Sequence, residues 1–284
     1  MSDGPIDLHT HSSVSDGTET PTQLVRAAVE AGLGTVALTD HDSTAGWHEA
    51  FAAAAGTGLT VIPGMELSTN WGPASVHVLA YLFDPNNGDI VAETARIRDG
   101  RLHRAEQIVE RIAADYDLTW DDVLAESSNG TTLGRPHIAD ALVRKGFVPN
   151  RTAAFESILH WRGGYYVKYY APSPVEGVRT IVAAGGVAVL AHPVTSNKYR
   201  PMDDTVIRQL VDVGLFGLEL DHRDNTVEGK ARLRTLAKKF GLELTGSSDY
   251  HGQGKPNRLA ENTTSPEVLA KLVARGTGSA PFVG

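Results

Sequence analysis

The chain has 284 residues, no cysteine, 41% hydrophobic and 21% charged residues, and a formal net charge of -8 at pH 7. That balance suits a soluble α/β domain with a full core; the missing cysteines exclude disulfides, thiolate zinc sites and cysteine nucleophiles, so any metal must sit on nitrogen and oxygen. No apolar run approaches the roughly 20 residues of a membrane helix and a strand is predicted from Ile6, so a cytoplasmic protein without a signal segment is expected.

The first predicted strand is Ile6 to Leu8. A helix follows, with Thr20 as N-cap, Pro21 at the first helical position, Leu24, Ala27, Ala28 and Ala31 on one face, and Gly32 as the stop. Short β-branched or apolar runs at Thr35–Leu38, Thr60–Ile62 and Val76–Leu82 read as three more buried strands. From Pro85 to Tyr166 the pattern is helical only: a charged amphipathic run from Ile90 to Tyr116, a capping box at Thr119-Trp120-Asp121-Asp122, and helices over Arg135–Lys145 and Thr152–His160. Strands return at Val187–Ala191, Gly217–Leu220 and Leu242–Thr245, interleaved with helices over 173–184 and 229–240. The alternation of strand and helix implies parallel pairing. It divides the chain into a first α/β part (1–85), an all-helical insertion (86–166) and a second α/β part (167–284), with no internal repeat.

Nine candidate metal ligands recur along this frame: His9, His11, Asp16, His41, Glu66, His77, His192, Asp249 and His251. A lone histidine is more often structural and a lone buried aspartate is often a cap. Here, however, such residues stand at or just beyond successive strand ends, which in a parallel barrel converge on one mouth. His9 and His11 are two apart and share a face. One ion takes about four to six ligands, so nine imply two or three ions with bridging carboxylates, an arrangement suited to phosphoester hydrolysis. Residues 1–85 hold ten acids against the single base Arg26. Three divalent ions would turn that acidic region into one that attracts anions, while broad binding of duplex DNA is not expected.

In Asp7-Leu8-His9-Thr10-His11-Ser12 with Asp16-Gly17, Thr39-Asp40-His41-Asp42, Gly64-Met65-Glu66, Ala191-His192-Pro193 and Ser247-Ser248-Asp249-Tyr250-His251, the chain resembles the polymerase and histidinol phosphatase (PHP) family of metal-dependent phosphoesterases. The resemblance implies a distorted seven-stranded (β/α)7 barrel with a trinuclear site. It places His9, His11 and Asp249 on one ion, with Glu66 bridging to a second held by His77 and His192, and Asp16, His41 and His251 on the third. The insertion, with Gly134-Arg135-Pro136-His137-Ile138-Ala139, is similar to a subgroup acting on nucleotide phosphates, including 3′,5′-bisphosphates and short RNA ends.

The expected reaction is hydrolysis of a phosphomonoester of a nucleotide or similar small anion by a hydroxide shared between metals, with Asp249 as proton acceptor. Arg135 is the expected phosphate clamp because its planar fork matches a phosphate, with His137 close by; Lys168 and His222 are further candidates for substrate contact or leaving-group protonation. Mn²⁺, Fe²⁺ and Zn²⁺ all suit the donors, and the carboxylate share favours manganese. Competing readings are 5′ to 3′ trimming of short RNA over Tyr165, Tyr166, Tyr169 and Tyr170, which read equally as a strand packed on both faces; a C–N hydrolase, disfavoured because the first lysine is Lys145; and a metal-binding module without turnover.

Overall fold

The computed structural model describes residues 4–72, 74–127, 131–195 and 202–284. In chain order its elements are β1 (Ile6–Thr10), α1 (Pro21–Glu30), β2 (Thr35–Leu38), α2 (Trp47–Ala54), β3 (Thr60–Trp71), β4 (Ala74–Tyr81), α3 (Gly88–Ile112), α4 (Trp120–Leu124), α5 (Arg135–Arg144), α6 (Arg151–Glu156), α7 (Pro174–Ala183), β5 (Val187–Leu190), α8 (Asp204–Asp212), β6 (Gly217–Asp221), α9 (Val227–Phe240), β7 (Glu243–Gly246), α10 (Pro266–Arg275) and β8 (Phe282–Val283). Strands β1 to β7 pair in sequence order. The sheet nearly closes on itself, because Thr10 bridges Tyr250 and His11 N donates to Tyr250 O at 2.8 Å. The result is a mixed seven-stranded barrel, with β8 added to the edge of β3.

Pairing is not parallel throughout, as the strand and helix alternation implied. β3 and β4 form an antiparallel hairpin, and β4 is also antiparallel to β5. The cause is the short Trp71 to Ala74 link, which leaves no residues for a crossover helix. β3 therefore runs 12 residues, far past the expected Ile62, and carries the hairpin beyond the rim.

Both faces of the strands are buried, and the two-residue period separates them. Ile6, Leu8, Ile62, Leu79, Tyr81, Val187 and Val189 share one core cluster, whereas Val36, Leu38, Val61, Val78, Ala80, Ala188, Leu190 and Leu218 join the helices in another. The phase that sends Ile62 inward also sends Glu66 inward; that of Leu79 and Tyr81 includes His77; and Glu219 lies between the outward Leu218 and Leu220. Polar groups thus cap the apolar filling of the barrel.

Between β4 and β5 the chain is helical, with a core of its own built from Ile108, Ile112, Val123, Ile138, Leu142 and Ala154. Helix α3 belongs to both cores: Ile90 and Ile97 pack with the barrel, and Ala105 to Ile112 with the helices. The segment around Tyr165 to Tyr170 is irregular, not the doubly packed strand that its spacing allowed.

Closure depends on Asp7. Its buried carboxylate accepts from Ser248 N and Ala260 N, both at 3.0 Å, and so fastens β1 to the segment after β7. Asp7→Ala leaves the buried Ser248 amide and the half-buried Ala260 amide unpaired, and an unfolding free energy lower by roughly 2–4 kcal/mol is expected. Chemical denaturation of the metal-free protein measures this, and an unchanged midpoint would show that closure does not need the carboxylate.

Candidate metal centre

Eight of the nine expected ligands come from the rim loops and strands around one buried carboxylate, Glu66. Its Oε2 lies 3.0 Å from His11 Nε2, 3.1 Å from His9 Nε2 and 3.4 Å from His41 Nδ1. Its Oε1 lies 2.7 Å from His77 Nδ1 and 3.0 Å from His192 Nε2. The antiparallel register explains the His77 contact: Glu66 pairs with Leu79 and Ser68 with His77, so Glu66 and His77 are diagonal neighbours on one face. His77 thus reaches the rim from the N-terminal half of an antiparallel strand, and Glu66 from the middle of a long one. Neither stands at a C-terminal strand end, as the sequence reading had it.

Asp249 and Asp16 complete the cluster. Asp249 Oδ1 is 3.4 Å from His9 Nε2, His11 Nε2 and His251 Nδ1. Asp16 Oδ1 is 3.2 Å from His251 Nε2 and 3.6 Å from His11 Nδ1, and its Oδ2 is 3.7 Å from His41 Nε2. His192 and Asp249 both hold positive φ angles, 27° and 55°. Such backbone is costly for residues other than glycine and persists where surrounding contacts fix it.

These residues fit divalent metal ions. His9 Nε2, His11 Nε2, Glu66 Oε2 and Asp249 Oδ1 form one group within which the measured separations run from 3.0 to 3.4 Å. A tetrahedron of ligands about 2.0–2.1 Å from an ion has edges of about 3.3–3.4 Å. His41 Nδ1, Asp249 Oδ1 and His251 Nε2 are buried and make no hydrogen bond. Three further groups able to hold an ion are His11, Asp16, His41 and His251; His41, Glu66 and His77; and His9, His192 and Glu219.

Protonation follows from the same crowding. Burial raises the pKa values of Glu66, Asp16 and Asp249, but the neighbouring groups, His77 and His41 at Glu66, His251 and His41 at Asp16, and Lys255 and His251 at Asp249, hold all three well below the ordinary carboxylate range. Burial pushes His11 down, yet Asp249 and Glu66 more than offset it and raise it to about 9. Cations entering the cluster must therefore displace protons from imidazole.

An outer layer of hydrogen bonds orients the centre. Asp40 accepts from Ser12 N at 2.8 Å and from Ser12 Oγ and Ser15 Oγ at 2.7 Å, which shapes the loop carrying Asp16. Asp42 accepts from Ser68 N and Ser68 Oγ at 2.7 Å and from Arg101 Nη1 at 3.2 Å. Glu219, absent from the expected set, accepts from His9 Nδ1 at 3.0 Å and from His192 N at 2.7 Å. Its signal was an acid in the middle of the apolar run Gly217-Leu218-Glu219-Leu220.

The expected substrate-binding residues separate. His222 is buried beside the cluster: its Nδ1 accepts from Asp224 N at 3.1 Å, which leaves the proton on Nε2 to donate to Asp249 Oδ2 at 3.3 Å. Arg135 lines a cavity of about 200 Å³ that opens onto the cluster and is shared with Asp16, His41, His77, Arg101, Arg104 and Lys255. His137 is buried and does not line it; its Nδ1 accepts from Gly134 N at 3.3 Å and caps α5. Lys168 is exposed on the irregular segment and does not reach the cavity. Arg101 and Arg104 lie inside a charged helical run, where their one signal is that Arg98, Arg101 and Arg104 recur every three residues on one helix face.

The PHP domain profile matches residues 7–86. A 3′,5′-nucleoside bisphosphate phosphatase of Chromobacterium violaceum is 34% identical over 271 residues, covering 95% of both chains. The chain belongs to the PHP family of metal-dependent phosphoesterases. A 5′-3′ exoribonuclease of Haemophilus influenzae is 34% identical over 249 residues, covering 86% of this chain and 89% of the relative. Among solved structures, a Bifidobacterium adolescentis protein assigned to the metal-dependent phosphoesterases superposes with a TM-score of 0.93 at 42% identity, over 97% of this chain and 98% of that one. A Chromobacterium violaceum structure described as an amidohydrolase, with sulfate bound and no metal, gives 0.85 at 32% identity, over 96% and 97%. The PHP barrel and the phosphoesterase class expected from the motifs are thus established.

For a PHP enzyme built around Glu66, Glu66→Gln is expected to lower bound metal and activity together. Glu219→Gln, which weakens the support behind His9 and His192, is expected to loosen metal by roughly 10- to 100-fold. Metal content after dialysis against graded chelator measures both; equal retention in Glu66→Gln and the parent would remove Glu66 from the centre.

Proposed function

We propose that this PHP enzyme removes a phosphate from a small nucleotide carrying a second phosphate, of which a 3′,5′-nucleoside bisphosphate is the leading example. The observation that carries this reading is the cavity wall. Arg104 and Arg135 line it with no carboxylate partner among the described residues, and their guanidinium groups lie against aromatic rings instead: Arg104 5.1 Å from Tyr166 and 4.8 Å from Tyr169, Arg135 5.2 Å from Phe155 and 5.9 Å from Tyr166. Burial, with the neighbouring Arg135 adding to it, lowers Arg104 to about 9. Two half-buried cations without counter-charges favour an anionic ligand, and Arg suits phosphate. The names of the Chromobacterium relatives, one a bisphosphate phosphatase and one a structure with sulfate bound, agree with an anionic ligand.

The nine clustered residues would hold the metals, grouped as the family resemblance implied, with Glu66 bridging. Bound divalent ions, manganese being favoured, would supply an activated water and neutralise charge on the phosphoryl group. The chain's own groups do the remaining work. Asp249 Oδ1, free of hydrogen bonds, accepts the proton of the attacking water. His222 holds Asp249 in place by donating from Nε2 to Oδ2. Arg135 binds the phosphoryl group and Arg104 the second phosphate. The helical segment 86–166, which supplies both arginines, acts as one unit over the cavity.

Trimming of short RNA is less well supported by the cavity. Tyr166, Tyr169 and Tyr170 already carry guanidinium groups, with Arg96 3.5 Å from the Tyr170 ring, and Tyr165 OH donates to Asp115, so these rings form a wall instead of a free stacking platform.

Phosphate release from a panel of nucleoside mono- and bisphosphates and short 5′-phosphorylated RNA, with manganese-loaded protein, tests the proposal. Bisphosphates should be preferred, Arg135→Ala should keep metal and lose roughly 10² in rate, and Arg104→Ala should narrow the preference for bisphosphate. Equal release from every nucleotide would leave a general phosphatase, and faster turnover of RNA would favour the exoribonuclease.

A further inference from the structure

Asp249 uses its two oxygens differently. Oδ1 faces His9, His11 and His251 without a hydrogen bond, while Oδ2 accepts from Lys255 Nζ at 2.7 Å and from His222 Nε2 at 3.3 Å. The Lys255 side chain is 39% exposed against 4% for Asp249, and Lys255 lines the same cavity as Arg101, Arg104 and Arg135. An ammonium has three donors, and only the one to Asp249 has a protein acceptor among the described residues.

Its loop is built to hold that position. Lys255 follows a short 3-10 turn, Gly252–Gly254, pinned by Gln253 N to Thr18 Oγ1 at 2.8 Å and by Gly254 N to His251 O at 3.1 Å. Gly252 has φ +62 with Thr18 Oγ1 2.3 Å from where a Cβ would be, and a Cβ on Gly254 would meet Arg151 Nη1 at 2.3 Å. Asn257 Nδ2 donates to Ser248 O at 2.7 Å and closes the far side. A lysine on a fixed loop, anchored by one donor and open to the cavity through the others, is prepared for a ligand.

We propose that Lys255 is a substrate-contacting catalytic residue whose free N–H donors bind a non-bridging oxygen of the phosphoryl group, on the side of the cavity set by Asp249. The inference rests on the cavity being the phosphoester site. Its positive charge acts as a point donor to a tetrahedral anion, beside the planar fork of Arg135.

The test uses the full manganese-loaded chain, with inorganic phosphate as the probe. Metal content and the phosphate dissociation constant by calorimetry are read alongside turnover. Lys255→Met should keep the parent's metal content and bind phosphate roughly 10- to 100-fold more weakly, and Lys255→Arg should recover much of that binding. If Lys255→Met lowers the melting midpoint, Lys255→Gln, which keeps a donor for Asp249 without the charge, carries the same expectation. Phosphate binding equal to the parent, or loss of metal and phosphate in proportion, would reduce Lys255 to an anchor of Asp249 and overturn the proposal. A parent protein that itself fails to bind phosphate would instead bring down the reading of the cavity.

Discussion

Five imidazole nitrogens approach the two oxygens of a single carboxylate that is 1% exposed, and the rest of the architecture answers to that crowding around Glu66. Burying so many ionisable groups without partners would be severely unfavourable. Their mutual contacts offset part of the cost in the metal-free chain, and cations at the same points offset it better, because Asp249 Oδ1, His41 Nδ1 and His251 Nε2 have no hydrogen bond. The barrel contributes rigidity. Its filled interior, from Ile6 through Val189, gives the rim residues a floor that cannot collapse inward.

The same constraint explains the hairpin. In an all-parallel barrel, Glu66 would stand at a strand end and the next strand would return by a helix outside. Here β3 passes the rim and β4 comes straight back, so that Glu66 and His77 face each other across two paired strands instead of two loops. Strand-borne ligands are held more firmly than loop-borne ones, which suits the residue whose two oxygens must address different partners.

Much of the centre was legible because its residues are chemically conspicuous: paired histidines at a strand end, His-Pro after a β-branched run, Asp and His together after β7. The barrel followed from short apolar runs of regular spacing. What stayed hidden was hidden for physical reasons. Glu219 sits in an apolar strand, where a carboxylate reads as an exposed exception until its face is known to be the inner one. Lys255 lies among glycines in a loop whose path no periodicity reveals. Arg101 and Arg104 share a 25-residue helix with many solvent-facing charges, and only the packing of α3 on both cores distinguishes them. His137 stands beside Arg135 in the sequence and Lys168 on an expected strand; the helix cap occupies the first and the irregular backbone leaves the second exposed.

The charge distribution acquires its meaning from this arrangement. The first 85 residues carry ten acids and one base, yet the cavity over them is walled by Arg101, Arg104 and Arg135 from the helical segment and Lys255 from the loop after β7. Asp16, Asp40, Asp42 and Glu66 are buried in the cluster and its supporting hydrogen bonds, whereas Arg104, Arg135 and Lys255 are partly exposed along the cavity. Cationic side chains of the chain therefore line the cavity beside the buried carboxylates and imidazoles of the candidate metal centre. Among the described residues the cavity wall carries the cationic side chains of Arg101, Arg104, Arg135 and Lys255 against one carboxylate, Asp16. The helical segment thus contributes three of the four cationic side chains that wall the cavity, and the loop after β7 contributes the fourth.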